Sequence, residues 1–233
     1  MHEPLNSAIL KAVQRTLGHA PPFTTAELEG VEDLHISSNA GLAGLDAFPS
    51  LDLLILVACD PVDTAQLSRC KSLSTLKGRL TGMSGLEGLV GLNLLSCYVP
   101  QNCIRDIGPL MRIERLRNLD VTGNPLSEHT YSVLIPELRK RGCRVIMSER
   151  FEWGITCRFH DAGIPISCYK NKVDSRDGYR LGTVGLRFTE SPHFEHPYIT
   201  TSQAEALAKG DLRHAFSHFE HDVAQRLSEA LPS

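Results

Sequence analysis

The sequence predicts an α/β chain: a leucine-rich repeat solenoid of about five repeats with a parallel concave sheet, followed by a small α+β C-terminal domain. Three observations predict it. The first is compositional. Of 32 leucines in the 233 residues, 26 precede residue 151, whereas 10 of the 14 aromatic residues follow residue 150. The second is a repeating LxxLxLxxN pattern in the leucine-rich part. The third is the end of that pattern near residue 147, beyond which strand and helix signals follow in a non-repeating order. Hydrophobic residues make up 42% and charged residues 22% of the chain, an ordinary globular balance that excludes disordered and collagen-like classes. The net charge of −3 argues against non-specific binding to nucleic acid.

The elements follow in order. Residues 1–28 form an N-terminal helical cap. Ile9, Leu10, Val13 and Leu17 recur at helical spacing, and Pro21-Pro22 ends the run. The repeats align as Val31-x-x-Leu34-x-Ile36-x-x-Asn39, Leu51-x-x-Leu54-x-Leu56-x-x-Cys59, Leu73-x-x-Leu76-x-Gly78-x-x-Thr81, Leu92-x-x-Leu95-x-Cys97-x-x-Pro100 and Leu116-x-x-Leu119-x-Val121-x-x-Asn124. Their mean spacing of about 21 residues falls in the range of this repeat class. A single repeat cannot bury its apolar face, but stacked neighbours share one core. Tyr131, Leu134, Ile135 and Leu138 mark a capping helix that stops at Gly142, and residues 143–147 read as a last strand. The repeat domain with its cap is thus expected over 29–148 and the second domain over 149–233.

The stretches FTTAELEGVEDLHIS and LRNLDVTGNPLSEHTYSVLIPELRKRGCRV make residues 1–147 resemble a bacterial leucine-rich repeat protein of the short-repeat, internalin-like type. The resemblance implies a scaffold that binds protein on its concave sheet; nothing comparable is seen in the C-terminal part.

Strand alternation sends every second residue of each repeat outward. The outward positions include Leu53, Ile55 and Val57, then Lys77 and Arg79, then Leu94 and Tyr98, then Asp120. These eight are the candidate protein-binding residues. Leaving three aliphatics in water forgoes roughly 1.5–3 kcal/mol each. Three explanations stay open: a local error of register, a cover supplied by the C-terminal domain, or a partner protein or peptide. A partner would pair apolar side chains with a carboxylate that meets Lys77 and Arg79. Five or six strands spaced about 4.8 Å would suit an extended segment of about seven or eight residues.

In the second domain, Trp153, Ile155, Cys157 and Phe159 alternate, so residues 151–160 read as a strand. Residues 164–169 and 179–189 read as two more strands. Ser202 and Glu205 suggest a capping box, and Leu212, Phe216, Phe219, Val223 and Leu227 an amphipathic last helix. On that helix His214, His218 and His221 share a face opposite the stripe and are candidate metal ligands, with His193 and His196 nearby. A solvated polar helix face with loop histidines nearby is the plainer explanation, and no metal site is expected. These histidines, and His160 beside Cys157 and Cys168, raise the alternative of a metal- or thiol-dependent enzyme that uses the repeats to select its substrate. No GxSxG, phosphate-loop or dinucleotide motif occurs, and no cofactor is expected.

Seven cysteines without a CxxC, no apolar run of about 20 residues and no signal-like N-terminus predict a reduced, cytoplasmic protein that avoids membranes.

Overall fold

The computed structural model describes residues 5–37, 41–172, 179–189 and 195–220. Helix α1, Ser7–Leu17, starts where the Asn6 side chain accepts from the amides of Ala8 and Ile9, and it ends at Gly18 in the left-handed conformation. It buries Ile9, Ala12 and Val13 against the first repeat. A five-residue helix, α2, Thr25–Glu29, is fixed by a capping box between Thr24 and Glu27.

Six strands then form one parallel sheet in sequence order: β1 (Asp33–Ser37), β2 (Leu53–Val57), β3 (Thr75–Arg79), β4 (Ser96–Tyr98), β5 (Asn118–Asp120) and β6 (Arg144–Ile146). Leu34, Leu54, Leu76, Cys97, Leu119 and Val145 lie in one cross-strand row, and all are buried. The convex connections are short 3₁₀ turns, Leu45–Ala47, Thr64–Leu67, Glu87–Leu89 and Gly108–Arg112. A repeat of about 21 residues leaves no room for a longer helix there. The fold is a leucine-rich repeat solenoid with an added α+β part.

The fourth repeat corrects the sequence alignment. Cys97 pairs with Leu76 and Leu119, so the repeat reads Leu94-x-x-Cys97-x-Val99-x-x-Asn102, two residues from the alignment on Leu92 and Leu95. Repeat starts at 31, 51, 73, 94 and 116 are more even than the sequence pattern suggested. Leu94 is fully buried and leaves the concave face. Asn102 explains the register. Its Oδ1 accepts from the amides of Thr81 (3.0 Å) and Met83 (3.2 Å), and its Nδ2 donates to the carbonyls of Gly78 (2.9 Å) and Pro100 (3.1 Å). Asn124 repeats this one turn on, donating to Val99 and Val121. Cys59 occupies the same place, with its thiol directed at the carbonyls of Ile36 and Val57. The residue just before each of these, and before Thr81 at the same place in the third repeat, has a positive φ: Ala58 (49°), Leu80 (54°), Gln101 (55°) and Gly123 (70°). Asn39, the first ladder position expected, lies outside the described residues.

A capping helix, α3, Ile135–Lys140, closes the array ahead of β6. Residues 151–160 are helical, not extended: α4 runs Arg150–Asp161. Ile155 and Phe159, with Glu152 and Thr156, are buried at i, i+3, i+4, i+7 spacing. Trp153 and Cys157 occupy a second face, and both donate to the Leu126 carbonyl of the repeat array, at 2.8 and 3.6 Å. A helix buried on two faces yields apolar residues at every second position, which mimics a strand.

The remaining strands, β7 (Ile166–Lys172), β8 (Tyr179–Phe188) and β9 (Tyr198–Thr200), form an antiparallel sheet in that order. One face packs Ile166, Cys168, Val184, Leu186 and Phe188 against α4. Helix α5, Thr201–Lys209, starts from a Thr200–Gln203 capping box in place of the expected Ser202 and Glu205. Leu212–His218 is a 3₁₀ helix. The rest of the expected last helix, with Val223 and Leu227, lies outside the described residues. Buried apolar side chains fall into two clusters, one from Ile9 to Val145 and one from Ile155 to Phe219.

Candidate functional site

Register across the sheet fixes the concave face. One outward row reads His35, Ile55, Lys77, Tyr98, Asp120 and Ile146. Beside it Val57 pairs with Arg79, and Leu53 with Thr75. Leu53, Ile55 and Val57 are half-buried, while Lys77 and Arg79 are exposed. Tyr98 and Asp120 are half-buried. Seven of the eight sequence candidates thus share the concave face, and Leu94 does not.

The C-terminal part docks on the carboxyl ends of the later strands. The Gly82 amide donates to the Thr189 carbonyl (3.1 Å), and the Cys103 thiol lies 3.2 Å from the Thr189 hydroxyl. Arg105 pairs with Asp161 at 2.8 Å. Arg150 holds Glu128 through two hydrogen bonds and lies over the rings of Tyr131 and Trp153 at 4.9 and 4.8 Å. None of these contacts among the described residues involves Leu53, Ile55 or Val57.

Where the two sheets meet, a cleft of about 740 Å³ opens. Arg79, Gln101, Asp120 and Thr122 line it from the repeats; Tyr169, Lys170, Arg187 and Tyr198 line it from the second sheet. Strand pairing places Tyr169, Gly185 and Tyr198 side by side across β7, β8 and β9. A methyl group on Gly185 would fall 2.5 Å from the Tyr169 ring, so glycine is what lets that ring cross β8. Arg79 donates through Nε to Gln101 Oε1 at 3.0 Å. Burial, then the nearby Arg79 charge, pushes the Arg187 pKa below its ordinary value. Burial, then Tyr198, raises the Tyr169 phenol, so it stays protonated and able to donate. Lys170 is paired with Glu149, and Asp120 accepts from the Thr122 amide at 2.9 Å. Burial raises the Glu152 carboxyl above its ordinary value.

Sequence reasoning missed Gln101, Tyr169, Arg187 and Tyr198. Alternation in β7 and β8 does set Tyr169 and Arg187 opposite the apolar residues. Their meeting with Arg79 depends on the docking of two elements far apart in sequence.

Burial works against the thiol alternative. The Cys157 thiol is pushed up to about 11 and His160 down to about 4, so both are neutral at pH 7 rather than a thiolate–imidazolium pair. Cys168 is fully buried and its thiol is raised further. The histidine face is corrected by helix type. His214 and His218 lie on a 3₁₀ helix, where about three residues per turn send i and i+4 in different directions. His193 and His221 lie outside the described residues, and among the described residues no three His, Cys, Asp or Glu side chains cluster as metal ligands.

No protein-family model and no curated protein matches the sequence. Solved structures similar to it include two internalins from Listeria monocytogenes. Internalin F is 16% identical with a TM-score of 0.46, the match covering 65% of this chain and 53% of that one. Internalin C2 is 16% identical with a TM-score of 0.42, the match covering 65% of this chain and 80% of that one. The chain therefore spans about half the length of the internalin F chain it matches.

Proposed function

We propose that this chain is a protein-binding scaffold that captures an extended protein or peptide segment along its concave sheet. One observation carries the reading: a patch of three half-buried aliphatics on β2 lies in direct register with two exposed cations on β3, Ile55 beside Lys77 and Val57 beside Arg79. An apolar patch with a charged rim suits a segment in which aliphatic side chains lie next to a carboxylate. Tyr98 and Asp120 continue the surface toward the cleft.

We further read the compartment as cytoplasmic. All seven cysteines are free thiols, which suits a reducing environment. No helix among the described residues is long and apolar enough to cross a membrane. The net charge of −3 favours a protein over a nucleic-acid partner.

Selection from a display library of random twelve-residue peptides tests the reading. The expected outcome is a consensus of aliphatic residues flanked by Asp or Glu, with retention lost on Ile55→Asp. A library that yields no consensus, or retention indifferent to that substitution, rejects the concave surface as the binding face.

A further inference from the structure

The cleft at the junction holds a charge arrangement that the repeat scaffold alone does not need. Arg79 comes from the end of β3 and Arg187 from β8, and both line the same space. Arg187 is only 9% exposed. Arg79 spends one donor, Nε, on Gln101, which leaves its terminal amino fork. Gln101 is itself buried and held at a φ of 55°, a backbone state costly for a residue with a side chain. Tyr169 and Tyr198 stand side by side across Gly185 and both line the cleft, and a phenol hydroxyl can donate to a ligand. Among the described residues that line the cleft, the acidic groups are occupied or subdued. Glu149 is tied to Lys170, Asp120 to the Thr122 amide, and Glu152 is held toward its neutral form by burial.

We propose that this cleft is an oxyanion-binding site, where a carboxylate or phosphate group is held between the guanidiniums of Arg79 and Arg187 and hydrogen-bonded by the Tyr169–Tyr198 pair. Two like charges facing one cleft repel, and an anion between them turns that repulsion into two charge-assisted contacts. Guanidinium forks match the planar or tetrahedral oxygens of such groups, often two bonds at a time. The volume of about 740 Å³ exceeds what a bare ion fills and falls in the range of sites for small organic ligands. The anion is therefore carried on a body: a small organic acid or phosphate ester, or an acidic side chain or terminus of a bound segment. The site shares Arg79 with the proposed peptide surface but adds Arg187, Tyr169 and Tyr198, which that surface does not use.

Calorimetric titration of the full chain at constant ionic strength tests it, with phenyl phosphate, benzoate, inorganic phosphate and an acidic hexapeptide as probes. Saturable binding of at least one is expected. Arg79→Gln should weaken it by about tenfold to a hundredfold, as for loss of a charged hydrogen bond. Tyr198→Phe, at an exposed position, should weaken it several-fold, and Val133→Asp, exposed and outside the cleft, should leave it unchanged. Arg187→Gln is a second check wherever the variant melts cooperatively. Binding of the two small organic probes assigns the site to free ligands, and binding of the hexapeptide alone assigns it to a segment; both uphold the proposal. No saturable binding of any probe overturns it, as does binding insensitive to both Arg79→Gln and Tyr198→Phe.

Discussion

Single side chains decide where the repeat register falls. Asn102 is fully buried and satisfies two amides and two carbonyls of the loop between repeats. Asn102→Ala would strand those groups, and each orphaned buried group costs about 1–3 kcal/mol. A loss of roughly 3 kcal/mol or more in urea unfolding is expected. Cys59→Ala removes weak thiol contacts, those at 3.8 and 4.0 Å among them, and should cost less than Asn102→Ala, about 1.5 kcal/mol. Gln101→Gly tests whether a strained residue is kept for its side chain. Glycine accepts the left-handed backbone without penalty, so thermal stability should hold or rise while phenyl phosphate binding falls. The sequence pattern could not settle this register alone. Leu92, Leu94 and Leu95 offer two leucine phases, and only the buried amide of Asn102 chooses between them.

Among elements, α1 and the parallel strands were legible because each buries one face, and one buried face leaves a clean period. Helix α4 was not. It packs Ile155 and Phe159 on its own sheet and Trp153 and Cys157 on the repeats, and two stripes merge into a false alternation. Its first turn carries a titratable anchor. The Arg150 hydrogen bonds, then the Ser132 hydroxyl, hold Glu128 from an ordinary 4.5 down to about 2. A depressed carboxyl stabilises the fold above its unfolded pKa and loses that contribution as pH falls through the folded one. Glu128→Gln should therefore flatten the thermal-stability profile between about pH 4.5 and pH 2 and leave its shape above pH 5 unaltered. An equally steep fall in both proteins would remove Glu128 from the anchoring of α4.

For the whole molecule, the division proposed from composition at residues 1–28, 29–148 and 149–233 sets the question of how the last part sits on the repeats. Gly123 lies at that junction. A methyl group there would come within 2.1 Å of the Ser167 hydroxyl, and φ of +70° already disfavours a side chain. Gly123→Ala should loosen the docking. Mapped alkylation should then find Cys103, which faces Thr189 across the junction, reacting several-fold faster, with buried Cys97 unchanged. Outward residues on β2 and β3 were readable from strand alternation. The cleft was not, because it exists only where residues more than 100 positions apart, such as Arg79 and Arg187, are brought onto one wall and floor. Its two tyrosines also depend on Gly185, whose role appears only once β7, β8 and β9 are in register. The central claim is that partners are read on the concave sheet. The most direct measurement is the dissociation constant of a display-selected peptide for the unaltered chain, for Ile55→Asp, and for Val133→Asp at an exposed position outside the concave strands. The account predicts at least tenfold weakening with Ile55→Asp and none with Val133→Asp; equal affinities for all three would contradict it.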